Sequence, residues 1–248
     1  MSTGMSEPQG RGPAWPLGTV TVLGAHILDV LGRPVEEIPP GQGSVRLTEI
    51  RATAAGTAAG TGVDLAKLGA RVRAVGALGD DLLGDIVIAA MARHGVDTAG
   101  LVRKKEAQTS ATILPIRPNG ERPAFHVPGA TRLFTRADVD LDAIGDSRAL
   151  LIGAPAALAG LTGGDLAEIA GAARSNGVLV AVDVLHPGRP EDLDRLVPLL
   201  AMTDWFVPNA DQLLALTGRR DLGPAIKDVI ALGATAVAVT CGAEGCLV

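Results

Sequence analysis

From residue 19 onward, short apolar runs alternate along the chain with segments in which apolar positions recur at helical spacing. The apolar runs predict strands at 20–23, 72–75, 150–152, 178–183, 205–207 and 236–240. The helical spacing predicts helices at 57–68, 82–94, 164–174, 192–200, 210–216 and 224–232, of which the first two end at glycine. This alternation is typical of parallel strands joined by crossover helices, so we expect a layered α/β fold with a mostly parallel sheet.

Two stretches break this alternation. In residues 43–53 and 109–127, polar and apolar positions are interleaved, and the second stretch contains a turn at 118–121 with the sequence Pro-Asn-Gly-Glu. Alternation with a period of two predicts antiparallel strands outside the main sheet. We expect these stretches to form a small β lid beside the α/β body, placed over the carboxyl ends of its strands.

The two ends of the chain differ from its middle. Residues 1–18 are rich in small and polar residues without an apolar central run, and we expect a flexible tail followed by one domain over 19–248. At the other end, residues 246–248 resemble the start of a returning strand, with no helix or polar cap after them. We therefore expect the chain to be a fragment or a truncated product.

Composition narrows the classes of partner. The chain has 22 Lys and Arg against 27 Asp and Glu, a net charge of -5, and only 2% aromatic residues. Clustered basic charge and stacking aromatics are the features that bind nucleic acids, so we expect no nucleic-acid partner. No apolar run approaches a membrane span, and the two cysteines, Cys241 and Cys246, give no disulfide framework. A cytoplasmic protein with a small-molecule partner is expected.

Motif searches remove two kinds of phosphate site and leave two candidate segments. No Gly-Lys-Ser/Thr is present, and no Gly-x-Gly-x-x-Gly opens a helix after the first strand. Asp29 follows the first strand, where ligands of open α/β sheets bind, and could accept hydrogen bonds from hydroxyls; a loop or helix-cap aspartate is the alternative. Residues 55–62 open a helix with small side chains, which suits either a ligand near backbone N–H groups or tight helix packing.

Three other groups have simpler explanations than chemistry. The basic run 103–105 is expected to be a solvated strand end, with anion binding as the weaker alternative. Asp80, Asp81 and Asp85 could form a Mg²⁺ site, but capping of the next helix is sufficient to explain them. The four histidines and two cysteines are scattered over different elements, and we expect no metal site from them.

Several motifs in this order resemble those of the ribokinase-like, PfkB-type carbohydrate kinases. The resemblance extends over nearly everything after the tail, and both the order and the spacing of the motifs are specific. It is carried by Asp29, Ala55-Gly56, 65–69 (Leu-Ala-Lys-Leu-Gly), 76–84 (Gly-Ala-Leu-Gly-Asp-Asp-Leu-Leu-Gly), 95–97 (Gly-Val-Asp), Asp183, 209–212 (Asn-Ala-Asp-Gln) and 240–245 (Thr-Cys-Gly-Ala-Glu-Gly).

The resemblance implies transfer of the γ-phosphoryl group of ATP, with Mg²⁺, to a hydroxyl of a sugar, nucleoside or sugar-like alcohol. It implies that Asp29, Gly56 and Gly60 contact the substrate. It places five further residues on the nucleotide side: Asp183, Asn209, Thr240, Gly242 and Gly245. It also implies an α/β body with a β lid, and a homodimer is the assembly we consider.

The chain departs from the family pattern at four places. Ala55-Gly56 stands where the family has paired glycines, Gly60 where it has Asn, and Gln212 where it has a Glu that organises Mg²⁺ and its waters. The Gly-rich turn that carries the family's catalytic base Asp is expected beyond Val248, so no catalytic residue is assigned within the chain. We therefore expect little phosphoryl transfer from this chain alone, and the rival hypothesis is a non-catalytic sugar-binding or dimerising protein of the same fold.

Overall fold

The computed structural model describes residues 18–185 and 190–248, so the expected tail over 1–18 lies almost entirely outside the described residues. The strands are β1 Val20–Gly24, β2 Ile27–Arg33, β3 Glu49–Ala55, β4 Val72–Gly79, β5 Asp97–Lys104, β6 Ala111–Pro115, β7 Phe125–Val127, β8 Ala149–Gly153, β9 Leu179–Asp183, β10 Trp205–Phe206, β11 Ala236–Val237, β12 Val239–Thr240 and β13 Cys246–Leu247. The α-helices are α1 Thr57–Lys67, α2 Leu82–Ala92, α3 Leu141–Gly145, α4 Gly163–Ser175, α5 Pro190–Leu200, α6 Ala210–Thr217 and α7 Leu222–Ala231. Short 3₁₀ helices lie at Gly129–Leu133, Arg136–Asp138, Pro155–Ala157 and Gly242–Glu244.

The body is a seven-stranded sheet with the order β11-β10-β9-β8-β1-β4-β5, and its paired strands run parallel. Strand alternation divides the core between the two faces of this sheet. Leu23 of β1 packs into one apolar cluster with α4 to α7, whereas its neighbour Val22 packs into a second cluster with α1 and α2. Both faces are therefore covered by helices, which explains why the central strands are continuous apolar runs. The expected layered α/β fold with a parallel sheet is confirmed.

Local signals set several helix boundaries. Asp81 caps α2, because its carboxylate accepts a hydrogen bond of 2.9 Å from the backbone N–H of Gly84. Thr162 and Asp165 form a capping box at the start of α4. Gly95 and Gly218 follow α2 and α6 with positive φ angles of 79° and 64°, the usual helix-ending conformation of glycine. Asp81 is thus a helix cap, as the sequence suggested.

A second sheet of four strands has the order β3-β2-β6-β7, and it contains strands from both of the interleaved stretches. Here the sequence interpretation was incomplete, because β2 belongs to this sheet and Asp29 lies within it, paired with Thr53 of β3 and Thr112 of β6. The alternative of a loop or helix-cap aspartate was wrong, because Asp29 is a strand residue of β2. After Gly24, the chain leaves the main sheet and enters the lid sheet within two residues.

Two further expectations need correction. The predicted strand 236–240 is divided, since β11 pairs with β10 in the main sheet while β12 pairs with β13 in a separate hairpin. The basic run 103–105 is not simply a solvated strand end. Arg103 pairs with Asp85 and donates 2.8 Å to the carbonyl of Gly79, and Lys104 binds Asp138 at 2.8 Å, with both side chains of that pair less than one fifth exposed.

Across the described ranges, no helix combines the length and apolar character that crossing a membrane requires.

Candidate active site

A cleft of about 420 Å³ lies where the carboxyl ends of β1, β8 and β9 meet the lid sheet. It is lined by the β1–β2 connection, by β7 and the 3₁₀ helix after it, by residues 154–159 after β8, by Val184 and Leu185 after β9, and by parts of α5 and α6. Ligands of open parallel α/β sheets bind at the carboxyl ends of the strands. The cleft is therefore the place in the described structure where a substrate is expected.

Asp29 lies on the lid sheet in a row of three polar side chains. The strand register places it beside Thr112 of β6, and Thr112 beside His126 of β7. Thr112 hydrogen bonds to Asp29, and its hydroxyl lies 3.0 Å from Nδ1 of His126. Partial burial raises the pKa of Asp29 above its ordinary value, against the opposing effects of Thr112 and the charge of His126. His126 lines the cleft, so the row connects Asp29 to it.

Gly56 and Gly60 lie at the start of α1, and the structure gives them different roles. Gly56 is the N-cap, with φ 90° and ψ 156°, and a Cβ at this position would lie 2.4 Å from the carbonyl oxygen of Ala25. Only glycine fits both that backbone conformation and that contact. A Cβ at Gly60 would meet no atom within 4 Å. Gly56 is therefore required by the fold, whereas Gly60 leaves open space.

Asp183 is the last residue of β9, at the carboxyl edge of the main sheet. Burial raises the pKa of its carboxyl group to about 6, and a backbone hydrogen bond from Val184 offsets part of this effect. Its carbonyl oxygen accepts a hydrogen bond of 3.0 Å from the backbone N–H of Ala154, which follows β8. Asp183 is thus a largely buried carboxyl group whose pKa of about 6 is well above that of an exposed aspartate.

Asn209 and Gln212 form a capping box at the start of α6. The Asn209 side chain accepts from the backbone N–H of Gln212, and the Gln212 side chain accepts from the backbone N–H of Asn209, both at 2.8 Å. The Gln212 Nε2 group also donates 2.8 Å to the carbonyl of Val184, next to Asp183. A carboxylate at position 212 could accept from the Asn209 N–H, but it could not donate to the Val184 carbonyl.

Thr240, Gly242 and Gly245 lie next to this helix start. Thr240 forms a parallel bridge with Asn209, and its N–H donates 3.1 Å to the carbonyl of Pro208. Gly242 and Gly245 have φ angles of 58° and 93°, and the turn is closed by a 2.8 Å hydrogen bond from Cys241 to Gly245. The positive φ angles explain why glycine stands at both positions.

The structure brings the eight predicted site residues together in two groups. One group, at the lid and the start of α1, is Asp29, Gly56 and Gly60; the other, at the ends of β9, β10 and β12, is Asp183, Asn209, Thr240, Gly242 and Gly245. None of the eight lines the described cleft directly, but Ile27, two residues before Asp29, and Val184, next to Asp183, do. The cleft thus borders both groups.

Sequence reasoning missed His126 and Arg132, which both line the cleft. His126 was interpreted as one of several unrelated histidines. A signal was available, because in β6 and β7 the polar Thr112 and His126 alternate with the apolar Ile113 and Phe125. That alternation assigns Thr112 and His126 to one face of the lid sheet.

The described residues contain no group of three or more His, Cys, Asp or Glu side chains that could hold a metal ion. His26 is fully buried, its Nδ1–H donates a hydrogen bond of 2.9 Å to the carbonyl of Gly24, and burial lowers its pKa to about 4. His186 lies outside the described residues. The side-chain oxygens of Asn209 and Gln212 already accept hydrogen bonds within their capping box. These two residues therefore do not form a preformed metal site.

Solved structures with the same fold are numerous. The structure of Arabidopsis thaliana ribokinase complexed with ribose and ATP superimposes with a TM-score of 0.77 at 22% identity, covering 93% of this chain and 74% of that one. At this identity, the likeness shows the fold, which is ribokinase-like.

Relatives in sequence are plant fructokinases. Fructokinase-1 of Oryza sativa subsp. japonica is 29% identical over 171 residues, which cover 66% of this chain and 53% of the rice enzyme. Fructokinase-1 of Zea mays is 26% identical over 206 residues, which cover 79% of this chain and 64% of the maize enzyme. The chain therefore spans between about half and two thirds of the length of these relatives.

The described geometry and these similarities agree with the motif pattern of the sequence. The model of the pfkB family carbohydrate kinases matches residues 19–248, which is nearly the whole chain. The chain belongs to the pfkB family of carbohydrate kinases.

Proposed function

We propose that this protein transfers the γ-phosphoryl group of ATP to a hydroxyl group of a sugar or sugar-like alcohol. The observation that carries the proposal is the cleft itself, which borders a carboxylate on the lid sheet, Asp29, and a carboxyl group at the main-sheet edge, Asp183. Family membership and the ribose and ATP complex of the Arabidopsis ribokinase support it.

In this proposal, the sugar lies at the lid end of the cleft. Asp29 accepts hydrogen bonds from sugar hydroxyls, and the strand register directs it to the same face of the lid as His126, which lines the cleft. Gly56 and Gly60 place no side chain at two positions at the start of α1, so that a hydroxyl can approach its first N–H groups.

ATP lies at the carboxyl edge formed by β9, β10 and β12, near Asp183, Asn209 and Thr240, with the glycine turn at Gly242 and Gly245 beside it. Phosphoryl transfer requires neutralisation of phosphate charge, which Mg²⁺ supplies when it binds with ATP. Mg²⁺ commonly binds through one or two carboxylates together with substrate phosphates and water. We therefore treat MgATP as the co-substrate and assign no separate metal cage to this chain.

The test combines calorimetry with a sugar-dependent ADP-release assay over a panel of ketoses, aldoses and nucleosides in the presence of MgATP. Asp29→Asn is expected to weaken sugar binding by about 1–3 kcal/mol, or about 5- to 150-fold, since a charged hydrogen-bond acceptor is lost. The matched control is Asp64→Asn, which changes an exposed carboxylate on α1 that pairs with Lys67. If no member of the panel binds and none stimulates ADP release, the proposal is refuted.

We further propose that two copies associate through the outer face of the lid. This face exposes large apolar side chains, with Ile50 at 73%, Ile113 at 61% and Phe125 at 54% of their surface. Ile113 and Phe125 are cross-strand partners, so their side chains are contiguous. Contiguous apolar surface on a folded protein commonly marks an interface.

A cytoplasmic location belongs to the same proposal. ATP is the phosphoryl donor, and Cys241 and Cys246 are free thiols, which fits a reducing compartment.

A further inference from the structure

The polar groups around the cleft differ in whether their hydrogen bonds are already used. Ser110 donates its hydroxyl proton to the carbonyl of Pro128 and accepts from the hydroxyl of Thr131, so neither hydroxyl has a proton left to donate to a ligand. His126 and Arg132 also line the cleft, and they have hydrogen-bonding capacity left. The unused groups on this side of the cleft are therefore basic.

The row Asp29–Thr112–His126 determines which nitrogen of His126 faces away from the lid sheet. The Asp29 carboxylate can only accept, so Thr112 gives its single hydroxyl proton to Asp29 and accepts from Nδ1–H of His126 at 3.0 Å. Nε2 is then the ring nitrogen left for a ligand. In the protonated imidazole, Nε2 is a donor that can bind an anion.

Arg132 lies on the 3₁₀ helix Gly129–Leu133, six residues after His126, and its side chain is exposed at the cleft. Among the described residues it forms no ion pair. The acidic residue nearest to it in the chain, Asp138, is already paired with Lys104. A guanidinium group in a cleft lined mainly by Ala, Pro, Leu and Ile is thus left with its donors available.

We propose that His126 and Arg132 bind an oxyanion group of the sugar substrate, a carboxylate or a phosphate, so that the substrate is an anionic sugar. This inference rests on the proposed kinase function and narrows its substrate class. Arginine matches the planar geometry of carboxylates and phosphates with paired N–H donors, and charge-assisted bonds of this kind are stronger than those to neutral hydroxyls. The carboxylate of Asp192 on α5 also lines the cleft. The cleft lining thus contains one acidic side chain and two basic ones, His126 and Arg132.

Isothermal calorimetry with three probes tests the inference: fructose as the neutral sugar, gluconate as the carboxylate and fructose 6-phosphate as the phosphate. At least one anionic probe is expected to bind about tenfold or more tightly than fructose. The probe that does so shows whether the site binds a carboxylate or a phosphate. Arg132→Met should weaken that binding by about tenfold and leave fructose binding unchanged, and Arg132→Lys should recover part of it. His126→Gln should also weaken binding of the anionic probe more than binding of fructose.

The matched control is Arg122→Met, which removes an exposed arginine of the lid that does not line the cleft. Far-UV circular dichroism establishes that each variant is folded. If fructose binds as tightly as both anionic probes, or if Arg132→Met leaves their binding unchanged, the inference is overturned while the kinase proposal stands. If none of the three probes binds and no sugar stimulates ADP release, both are overturned.

Discussion

The small residues at the start of α1 could serve either tight packing or the approach of a ligand. Stability measurements on variants of Gly56 and Gly60 distinguish these two interpretations. The perturbation is one methyl group, introduced as Gly56→Ala or as Gly60→Ala. Gly56 has φ 90° and ψ 156°, and its new Cβ would lie 2.4 Å from the Ala25 carbonyl oxygen and 3.3 Å from Ile27. Gly60 lies within α1, and its new Cβ would meet no atom within 4 Å.

The expected magnitudes follow from these differences. A non-glycine residue held in the conformation of Gly56 costs about 1–3 kcal/mol, and forcing an extra carbon against the backbone costs roughly 1–3 kcal/mol more. Gly56→Ala should therefore lower the free energy of unfolding by about 2–6 kcal/mol. In contrast, Gly60→Ala should raise it by about 0.5–1 kcal/mol, since alanine is favoured over glycine inside a helix.

Urea denaturation followed by far-UV circular dichroism measures both changes. In a protein of this size, each kcal/mol shifts Tm by about 2–4 °C, so thermal melting should separate the two variants clearly. The reasoning is refuted if Gly56→Ala is as stable as the parent, or if Gly60→Ala loses more than about 1 kcal/mol. The second outcome would mean that the space beside Gly60 is filled by the protein and is not open to a ligand.

Three further predictions concern charge and assembly. Lys104→Met should lower the free energy of unfolding by about 1–3 kcal/mol in urea denaturation, because the mostly buried carboxylate of Asp138 loses its partner, whereas Lys105→Met at the exposed neighbouring position should not. Asp183 has a folded pKa of about 6, above its unfolded value, so its ionisation destabilises the native state as the pH rises from about 4 to above 6. The stability of Asp183→Asn relative to the parent should therefore be greater at pH 8 than at pH 4. An equal stability difference between variant and parent at both pH values would contradict this. Ile113→Glu on the lid should convert dimers to monomers in light scattering, whereas Ile230→Glu on α7 should not, and a parent that is monomeric at high concentration would refute the lid interface.

The sequence predicted the parts of the fold that local signals determine. Central strands such as β1 are continuous apolar runs, and they are so because helices cover both faces of the main sheet. Helix α2 was placed correctly because Asp81 at its start and Gly95 after its end act through local backbone geometry.

What the sequence did not predict depends on pairing between distant residues. The run Ile27–Arg33 has strand character, but nothing local states that it pairs with β3 and β6 and not with β1. The partners of Arg103 and Lys104 are Asp85 and Asp138, which lie 18 and 34 residues away. The sequence therefore predicted a solvated basic run, because its acidic partners are adjacent to it only in the folded structure. For the same reason, Asp29 was predicted to be a site residue without its position in a lid strand being recognised.

Gln212 affects both the packing of the fold and the net charge near Asp183. Its amide accepts from Asn209 and donates to Val184, so it connects the start of α6 to the end of β9 beside Asp183. The glutamate that the family pattern implies here could accept from Asn209, but an ionised carboxylate would leave the Val184 carbonyl without this donor. The glutamine thus strengthens the connection while removing a negative charge next to Asp183. With that charge absent, burial is the main cause of the raised pKa of Asp183, and a cation that arrives with ATP would lower it.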